Sequence, residues 1–319
     1  MEREGSIKKY MMDVIIPLYN CERDIENTVD SILRQNNMDE FVGSIIIVDD
    51  CSTDGGAGVV SRLANPKIKL VSLATNGGRS RALNEGVKRA DQEYILFLDA
   101  DCMLGSRYKL KTVYDQISSG AQMIFGYATS DGCGFWDNYQ QMLAMKRWAS
   151  QSIMQQTSAC LVCQRALFEQ TGGFSEEYTG YGFEDRDLII RLSKTVDAEN
   201  IRYLRDLTVI HQNPEQLFQV ASKMFEAGSS TAGVFRRRFP KEYRQSSFSL
   251  VDFHCIGQWK AALLSIPGLF WQELAIKGEP LLQSQYVPFL VKKLFVKFVS
   301  AVSFYQGTRT SARNSQCDC

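Results

Sequence analysis

The sequence predicts an α/β protein with a mixed, mainly parallel sheet flanked by helices. Short apolar runs alternate with segments whose apolar residues recur at helical spacing, which is typical of strand–helix–strand units. The fourth run, residues 94–98, is apolar throughout, as expected for a strand buried on both faces. Right-handed crossovers would bring the carboxyl ends of such strands to one edge of the sheet.

Each element has its own pattern. The first strand ends at Pro17, an acidic turn at 49–56 closes the second, and Asn76-Gly77-Gly78 opens a helix after the third. The residues beyond 211 read as mostly helical. In chain order we predict strands at 14–16, 45–48, 69–73, 94–98, 158–162 and 207–210, and helices through 25–33, 82–87, 136–148 and 188–192.

Composition and missing motifs exclude several classes of protein. The formal net charge is zero, which argues against a nucleic-acid partner. Neither a P-loop nor a dinucleotide-binding glycine motif occurs, and no run of 18 apolar residues predicts a transmembrane helix. The nine cysteines form no regular framework, and the start resembles no signal peptide, so we expect a cytoplasmic protein. The Cys160–Cys163 pair reads as buried strand rather than metal or redox site.

Three acidic pairs lie at predicted strand or turn ends: Asp49/Asp50, Asp99/Asp101 and Glu184/Asp185. Asp99 and Asp101 are two residues apart in an extended segment, so their side chains can address one point. Two hard carboxylates at the carboxyl end of a buried strand suit a divalent cation that grips phosphate oxygens. An Asp-x-Asp alone is a weak signal, and the preceding strand is what strengthens it.

Three further groups have both a functional and a structural interpretation. Glu184 and Asp185 begin a helix, where an ionised carboxylate can serve as a general base or merely cap the helix. His211 follows a strand-like run and is either a metal ligand or a core residue. Arg79 and Arg81 open a helix that could meet a diphosphate, or they are solvated surface arginines.

Four motifs occur in a fixed order, and together they carry a family resemblance. They are Val14-Ile15-Ile16-Pro17-Leu18-Tyr19-Asn20, Val48-Asp49-Asp50-Cys51-Ser52-Thr53-Asp54, Asn76-Gly77-Gly78 with Arg81-Ala82-Leu83-Asn84, and Phe97-Leu98-Asp99-Ala100-Asp101. This set resembles the family 2 glycosyltransferases of GT-A (Rossmann-like) fold over roughly residues 12–215. The turn from Gly182 to Leu188, with Gly173-Phe174, further resembles galactosyltransferase-like and chondroitin-polymerase-like members.

The resemblance implies an inverting, metal-dependent transfer of a hexose or N-acetylhexosamine from a UDP-sugar to an acceptor hydroxyl. It implies a catalytic domain at 1–215, with a nucleotide-sugar half at 12–127 and an acceptor half at 128–215, and a helical extension at 216–319. Mn²⁺ or Mg²⁺ would be the cofactor. By this resemblance, the nucleobase would be bound by Pro17, Tyr19 and Asp50, and the diphosphate by Arg79 and Arg81. Asp99 would contact the ribose or a metal-bound water, and the metal would be bound by Asp101 and His211. Asp185, beside Glu184, would be the general base.

One departure and two alternatives stay open. Tyr181-Gly182-Phe183 stands where the family pattern has a tryptophan before its glycine, which leaves the donor sugar undetermined. The alternatives are a non-catalytic module of the same fold that binds nucleotide-sugars or carbohydrates, and a nucleotidyltransferase. Bacterial-type polysaccharide or lipid-linked glycan assembly is the expected context.

The segment 288–305 predicts an amphipathic basic helix. Its apolar face would hold Leu290, Leu294, Phe298, Ala301 and Tyr305, with Lys292, Lys293, Lys297, Ser300 and Ser303 on the opposite arc. Such a helix either lies on a membrane surface or packs on the catalytic domain. The first interpretation predicts a peripheral enzyme at the inner face of the membrane, acting on a saccharide or lipid-linked saccharide.

Overall fold

The computed structural model describes residues 11–212 and 215–317, and it contains a single mixed sheet of eight strands. Within the described residues the strands are β1 Met12–Leu18, β2 Val42–Asp49, β3 Ile68–Ser72, β4 Tyr94–Leu98, β5 Cys102–Leu104, β6 Met123–Thr129, β7 Cys160–Gln164 and β8 Ile201–His211. The α-helices are α1 Ile25–Leu33, α2 Met38–Phe41, α3 Gly56–Arg62, α4 Arg79–Val87, α5 Lys109–Ser118, α6 Phe135–Ser150, α7 Arg165–Gln170, α8 Glu184–Ser193, α9 Leu217–Glu226, α10 Ala232–Arg238, α11 Pro240–Gln245, α12 Gln258–Leu269, α13 Trp271–Gln283 and α14 Phe289–Cys317.

The strand order is β3-β2-β1-β4-β7-β6-β8-β5. Strands β3, β2, β1 and β4 pair in parallel, whereas β7 pairs antiparallel with both β4 and β6, and β5 pairs antiparallel with β8. The predicted mixed α/β sheet is therefore confirmed, and so is the complete burial of β4. Strands β5 and β6 were not predicted from the sequence.

The chain divides into two compact units that interleave along the sequence. The first comprises Met1–Ala128, Thr157–Gly173 and Arg191–Gln212, and the second Thr129–Gln156, Phe174–Ile190 and Asn213–Cys319. The first unit holds the sheet and the core beneath it. The functional halves expected at 12–127 and 128–215 follow a different division of the chain and stay predictions.

A buried carboxylate supports the start of the sheet. Asp13, in β1, is fully buried and accepts hydrogen bonds from three backbone amides. The nitrogen-to-oxygen distances are 2.7 Å for Ser44, 2.7 Å for Asp91 and 2.9 Å for Gln92. These donors lie in β2 and in the loop before β4, so one side chain ties together the entries of three neighbouring strands.

The second unit is built mainly from helices around aromatic clusters. Phe183 is nearly buried, with ring centroids 5.1 Å from Phe235 and 5.0 Å from Phe248. Gly307 of α14 lies against the backbone at the end of α9 and of the π-helical segment Ala227–Thr231 that joins α9 to α10. A Cβ at that position would overlap the carbonyl oxygen of Phe225, so the two segments approach at a distance only glycine allows.

The structure corrects the predicted faces of the C-terminal helix. Leu290, Leu294 and Phe298 are exposed as the membrane interpretation requires, but Tyr305 of the same predicted face is fully buried. Ser303, predicted on the polar arc, is also buried, and its hydroxyl donates to the Val299 carbonyl oxygen at 2.8 Å. Helical periodicity identified the two arcs, but contacts with other helices of the unit determine which parts of each arc are buried.

Candidate active site

Asp101 and His211 come together at the edge of the sheet. Strand β5 begins directly after Asp101, and its antiparallel register with β8 sets Cys102 opposite His211. The Nε2 atom of His211 lies 3.1 Å from Oδ2 of Asp101, and the Gln212 amide donates to the Asp101 carbonyl oxygen at 2.9 Å. Two residues far apart in the sequence are thus held as neighbours by three pairs of strand residues.

The surroundings keep Asp101 ionised. Burial, the largest single effect, raises its pKa, but the hydrogen bond from His211, the charge of that imidazole and the Cys102 thiol together outweigh it. The net result is a pKa below the ordinary aspartate value. A carboxylate oxygen and an imidazole nitrogen at this separation are suitable donors for Mn²⁺ or Mg²⁺.

The described residues offer few side chains that could bind a metal ion together. Among the described residues there is no group of three or more His, Cys, Asp or Glu side chains arranged to hold a metal ion. Cations that act on phosphates are commonly held by one or two protein ligands, with substrate phosphate oxygens and water completing the shell. The Asp101–His211 pair fits a cation of this kind, which a nucleoside diphosphate would complete.

Asp99 has a different neighbour. The Nη2 atom of Arg79 lies 2.7 Å from Oδ1 of Asp99 and donates to the Ser158 hydroxyl at 2.9 Å. Both members of the ion pair are about one-third exposed. The structure therefore places Arg79, expected at the diphosphate, on the carboxylate expected at the ribose or at a metal-bound water. The ligand contacts of both residues stay predictions.

Asp50 organises the loop that leads into α4. Its Oδ1 accepts from the Gly77 amide at 2.8 Å, and its Oδ2 accepts from the Gly78 amide at 2.7 Å. The carboxylate is nearly buried, and Gly78 has a φ of 83°, in the left-handed region. Asp50 thus holds the amino end of α4 in place, whereas its predicted contact with the nucleobase is not tested.

The other predicted donor-site residues lie near these turns. Pro17 is near the end of β1, and Tyr19 follows that strand with half of its surface exposed, which leaves its ring accessible to a planar ligand. Arg81 folds back over Gly77 and donates to the Thr75 hydroxyl at 3.2 Å. All of these residues belong to the first unit, at or just after strand ends and at the start of α4.

Glu184 and Asp185 open α8, as predicted, in the second unit. Two successive residues in the left-handed region precede them: Gly182 with a φ of 92° and Phe183 with a φ of 70°. A left-handed φ is strained for phenylalanine, and the aromatic cluster around its ring stabilises the turn. The backbone that leads to the predicted base is therefore set by Phe183.

Two further charged residues of the same helix have partners in the second unit. Asp187 is fully buried, and its Oδ2 lies 2.8 Å from Nε of Arg238. The Tyr178 hydroxyl donates to the same oxygen at 3.0 Å. Arg186 is half-buried against Phe183 and Phe248, with its guanidinium carbon 4.8 Å from the Phe248 ring centre. Both belong to the charged run Glu184-Asp185-Arg186-Asp187, and only their tertiary partners reveal their roles.

Comparison with known sequences identifies the family. The sequence profile described as "Glycosyl transferase family 2" matches residues 13–183, more than half of the chain. A Bacillus subtilis (strain 168) glycosyltransferase assigned to teichuronic acid biosynthesis, TuaG, is 39% identical over 95 residues, which cover 29% of this chain and 36% of that protein. The poly(ribitol-phosphate) beta-N-acetylglucosaminyltransferase TarS of Staphylococcus aureus (strain Mu50 / ATCC 700699) is 37% identical over 91 residues, covering 28% of this chain and 16% of that one.

These alignments cover well under two-thirds of either relative's own length. Among solved structures, the mannosyltransferase PcManGT from Pyrobaculum calidifontis, in complex with GDP-Man and Mn²⁺, superposes with a TM-score of 0.61 at 19% identity. The match covers 92% of this chain and 86% of that one, and at this identity it supports the fold alone. The chain belongs to glycosyl transferase family 2 and has the GT-A fold.

Proposed function

We propose that this glycosyltransferase moves a hexose or N-acetylhexosamine from a UDP-sugar to an acceptor hydroxyl with inversion, and that it requires a divalent cation. The observation that carries the proposal is the Asp101–His211 pair, 3.1 Å apart at the sheet edge where ligands of open α/β sheets bind. The acceptor is a saccharide or lipid-linked saccharide in bacterial-type polysaccharide or lipid-linked glycan assembly, and the teichuronic acid biosynthesis named for TuaG supports this context.

The proposed chemistry assigns a role to each group. When bound by Asp101 and His211, Mn²⁺ or Mg²⁺ would supply charge neutralisation for the departing diphosphate. Asp185 takes the proton of the acceptor hydroxyl while the hydroxyl oxygen attacks the anomeric carbon. General-base help of this kind contributes about 10²–10⁴-fold in rate. Attack opposite the diphosphate in a single displacement inverts the anomeric centre. Glu184 precedes the base at the start of α8, and Pro17, Tyr19, Asp50 and Arg81 hold the donor.

The metal part of the proposal is tested by binding rather than turnover. Calorimetry should show UDP binding that Mn²⁺ strengthens, and His211→Gln or Asp101→Asn should lower the Mn²⁺-dependent affinity by about tenfold or more. Affinity in EDTA should not change in either variant. His254→Gln, at the other histidine of the chain, is the matched control. An unchanged Mn²⁺ titration in His211→Gln would show that His211 is structural.

The base is tested separately. Asp185→Asn should reduce UDP release in a panel of UDP-sugars by at least about 10²-fold while UDP affinity stays the same. Asp197→Asn changes an exposed aspartate elsewhere and is the control. GDP-mannose belongs in the panel because it is the nucleotide-sugar in the PcManGT complex, and a preference for it would refute the uridine assignment. Full turnover by Asp185→Asn would refute the base assignment.

The location of the enzyme belongs to the same proposal. No helix among the described residues is long and apolar enough to cross a membrane. We place the enzyme at the inner face of the membrane, in contact through the segment 288–305, in which Leu290, Leu294 and Phe298 are exposed.

A further inference from the structure

Two helices of the second unit present apolar side chains to solvent. On α12, Trp259, Leu263 and Ile266 are 66%, 66% and 70% exposed, and Phe270, just after the helix, is 54% exposed. Their spacing of four, three and four residues places all of them on one face. Lys260 is the only charged residue of this helix. A whole apolar helix face at this exposure is unusual for a surface that meets only water.

The contacts of α12 explain why this face points outward. Its opposite face packs on α14: the Tyr305 hydroxyl donates to the Ala261 carbonyl oxygen at 3.1 Å and lies 3.0 Å from the Ser265 hydroxyl. Gly268, one turn further along the same face, lies against the Tyr305 ring. The helix is thus held by its small residues together with Leu264, which packs against the core of the unit, whereas the large apolar residues of the outer face contribute little to that core.

The first turns of α14 repeat the arrangement. Leu290, Leu294 and Phe298 recur every four residues and are 58%, 55% and 43% exposed. Val296 and Val299, on the other side of the helix, are buried in the core that α13 and α9 complete. We call the outer face of α12 and the first turns of α14 the α12–α14 surface.

The segment that carries both apolar faces has mainly positive charges. Residues 258–308 contain five lysines and two glutamates. One glutamate, Glu279, is used internally, because it accepts from the Trp136 indole nitrogen at 3.1 Å and from the Leu217 amide at 2.7 Å. Lys260 and Lys297 are exposed beside the apolar residues. The surface therefore combines apolar side chains with an excess of lysine.

We propose that the α12–α14 surface binds the interface of a lipid bilayer that contains anionic lipids. Apolar side chains such as Leu263 and Ile266 enter the boundary between headgroups and acyl chains, and the lysines meet the negative headgroups. Charge favours this occupant over a second copy of the chain, because a two-fold interface would bring the same lysine-rich surface against itself. The proposal refines the membrane contact suggested above and is independent of the transfer chemistry, since lipid binding is measured without a sugar donor.

Flotation with vesicles tests the proposal. The full chain should float with vesicles of equimolar phosphatidylglycerol and phosphatidylcholine, and much less with phosphatidylcholine alone. Leu263→Gln and Ile266→Gln should each weaken partitioning by about tenfold, as expected for withdrawing one large apolar side chain from the boundary. Leu250→Gln is the matched control, because Leu250 is 62% exposed in a turn outside α12 and α14. It should float like the unchanged protein.

The electrostatic part has its own variants. Lys260→Gln and Lys297→Gln should each weaken binding by about fivefold at low salt, and high salt should reduce the difference. Failure of the unchanged protein to bind either vesicle, or binding of Leu263→Gln equal to that of the unchanged protein, would overturn the proposal. Light scattering addresses the other occupant: a dimer that Leu263→Gln converts to monomer, without vesicle binding, would also overturn it.

Discussion

The buried ion pair between Arg238 and Asp187 makes a quantitative prediction about stability. Asp187 is fully buried, and its Oδ2 receives both the Arg238 guanidinium at 2.8 Å and the Tyr178 hydroxyl at 3.0 Å. Burial and the neighbouring carboxylate raise the pKa of Tyr178, so its hydroxyl stays protonated and donates. Removing Arg238 leaves the buried carboxylate with the neutral Tyr178 hydroxyl as the remaining one of these two partners.

The magnitude follows from that geometry. Removing one partner of a buried ion pair lowers the free energy of unfolding by about 3–5 kcal/mol. For Arg238→Met we expect a loss of about 3 kcal/mol, because Arg238 is 32% exposed and Tyr178 still donates to Asp187. Asp187→Asn keeps an acceptor for Tyr178 and should cost about 2 kcal/mol. The double variant should also cost about 3 kcal/mol, since no unpaired charge remains in the core, which corresponds to a coupling of about 2 kcal/mol.

Urea unfolding of the four proteins measures this cycle. The m-value should stay constant across the set, so that shifts in midpoint report stability. Arg238→Lys is a useful fifth protein because it keeps the charge but loses the planar donor geometry. Additive effects of the two single substitutions would show that Arg238 and Asp187 do not interact in the folded protein.

Three further predictions concern backbone contacts. Gly307→Ala should cost more than about 3 kcal/mol in a thermal melt, because the facing carbonyl oxygen cannot move away freely, whereas Gly233→Ala, in an uncrowded helix position, should be neutral or stabilising. Phe183→Ala should lower the free energy of unfolding by about 3–5 kcal/mol, because it empties the centre of an aromatic cluster. It should also lower kcat more than it raises the donor KM, since Asp185 follows in the same turn; an unchanged kcat would show that Phe183 does not position Asp185. Asp13→Ala leaves three backbone amides without their acceptor and should cost about 3 kcal/mol or more in urea, and an unchanged midpoint would exclude the role assigned to that carboxylate.

The sheet was predictable because its central strands carry continuous apolar runs. Strand β4 is buried along its whole length, and residues 94–98 show that pattern without ambiguity. Strand β5 could not be found in this way, because three residues between acidic and glycine-containing turns have no periodicity. Yet β5 is the strand that brings Asp101 to His211.

Side-chain partners were the part that sequence could not supply. The pattern at Asp187 fits a helix cap as well as a buried ion pair, and only Arg238, some fifty residues later, decides between them. Periodicity likewise separated the arcs of α14, but the packing of Ala261 and Ser265 on Tyr305 determines that one end of the apolar stripe is covered. Long-range contacts of this kind leave no local signal.

The β5–β8 pairing also has a consequence for the order of events during synthesis. Strand β8 delivers His211 about a hundred residues after the ribosome has made Asp101, so the carboxylate leaves the exit tunnel on the order of ten seconds before its imidazole partner. The parallel strands β1 to β4 are complete by residue 98 and can begin to associate in that interval. A nascent chain that stops short of β8 has the turns after β1 and β2 but lacks the pair, so the cation binding proposed for this pair would require a polypeptide translated through residue 211.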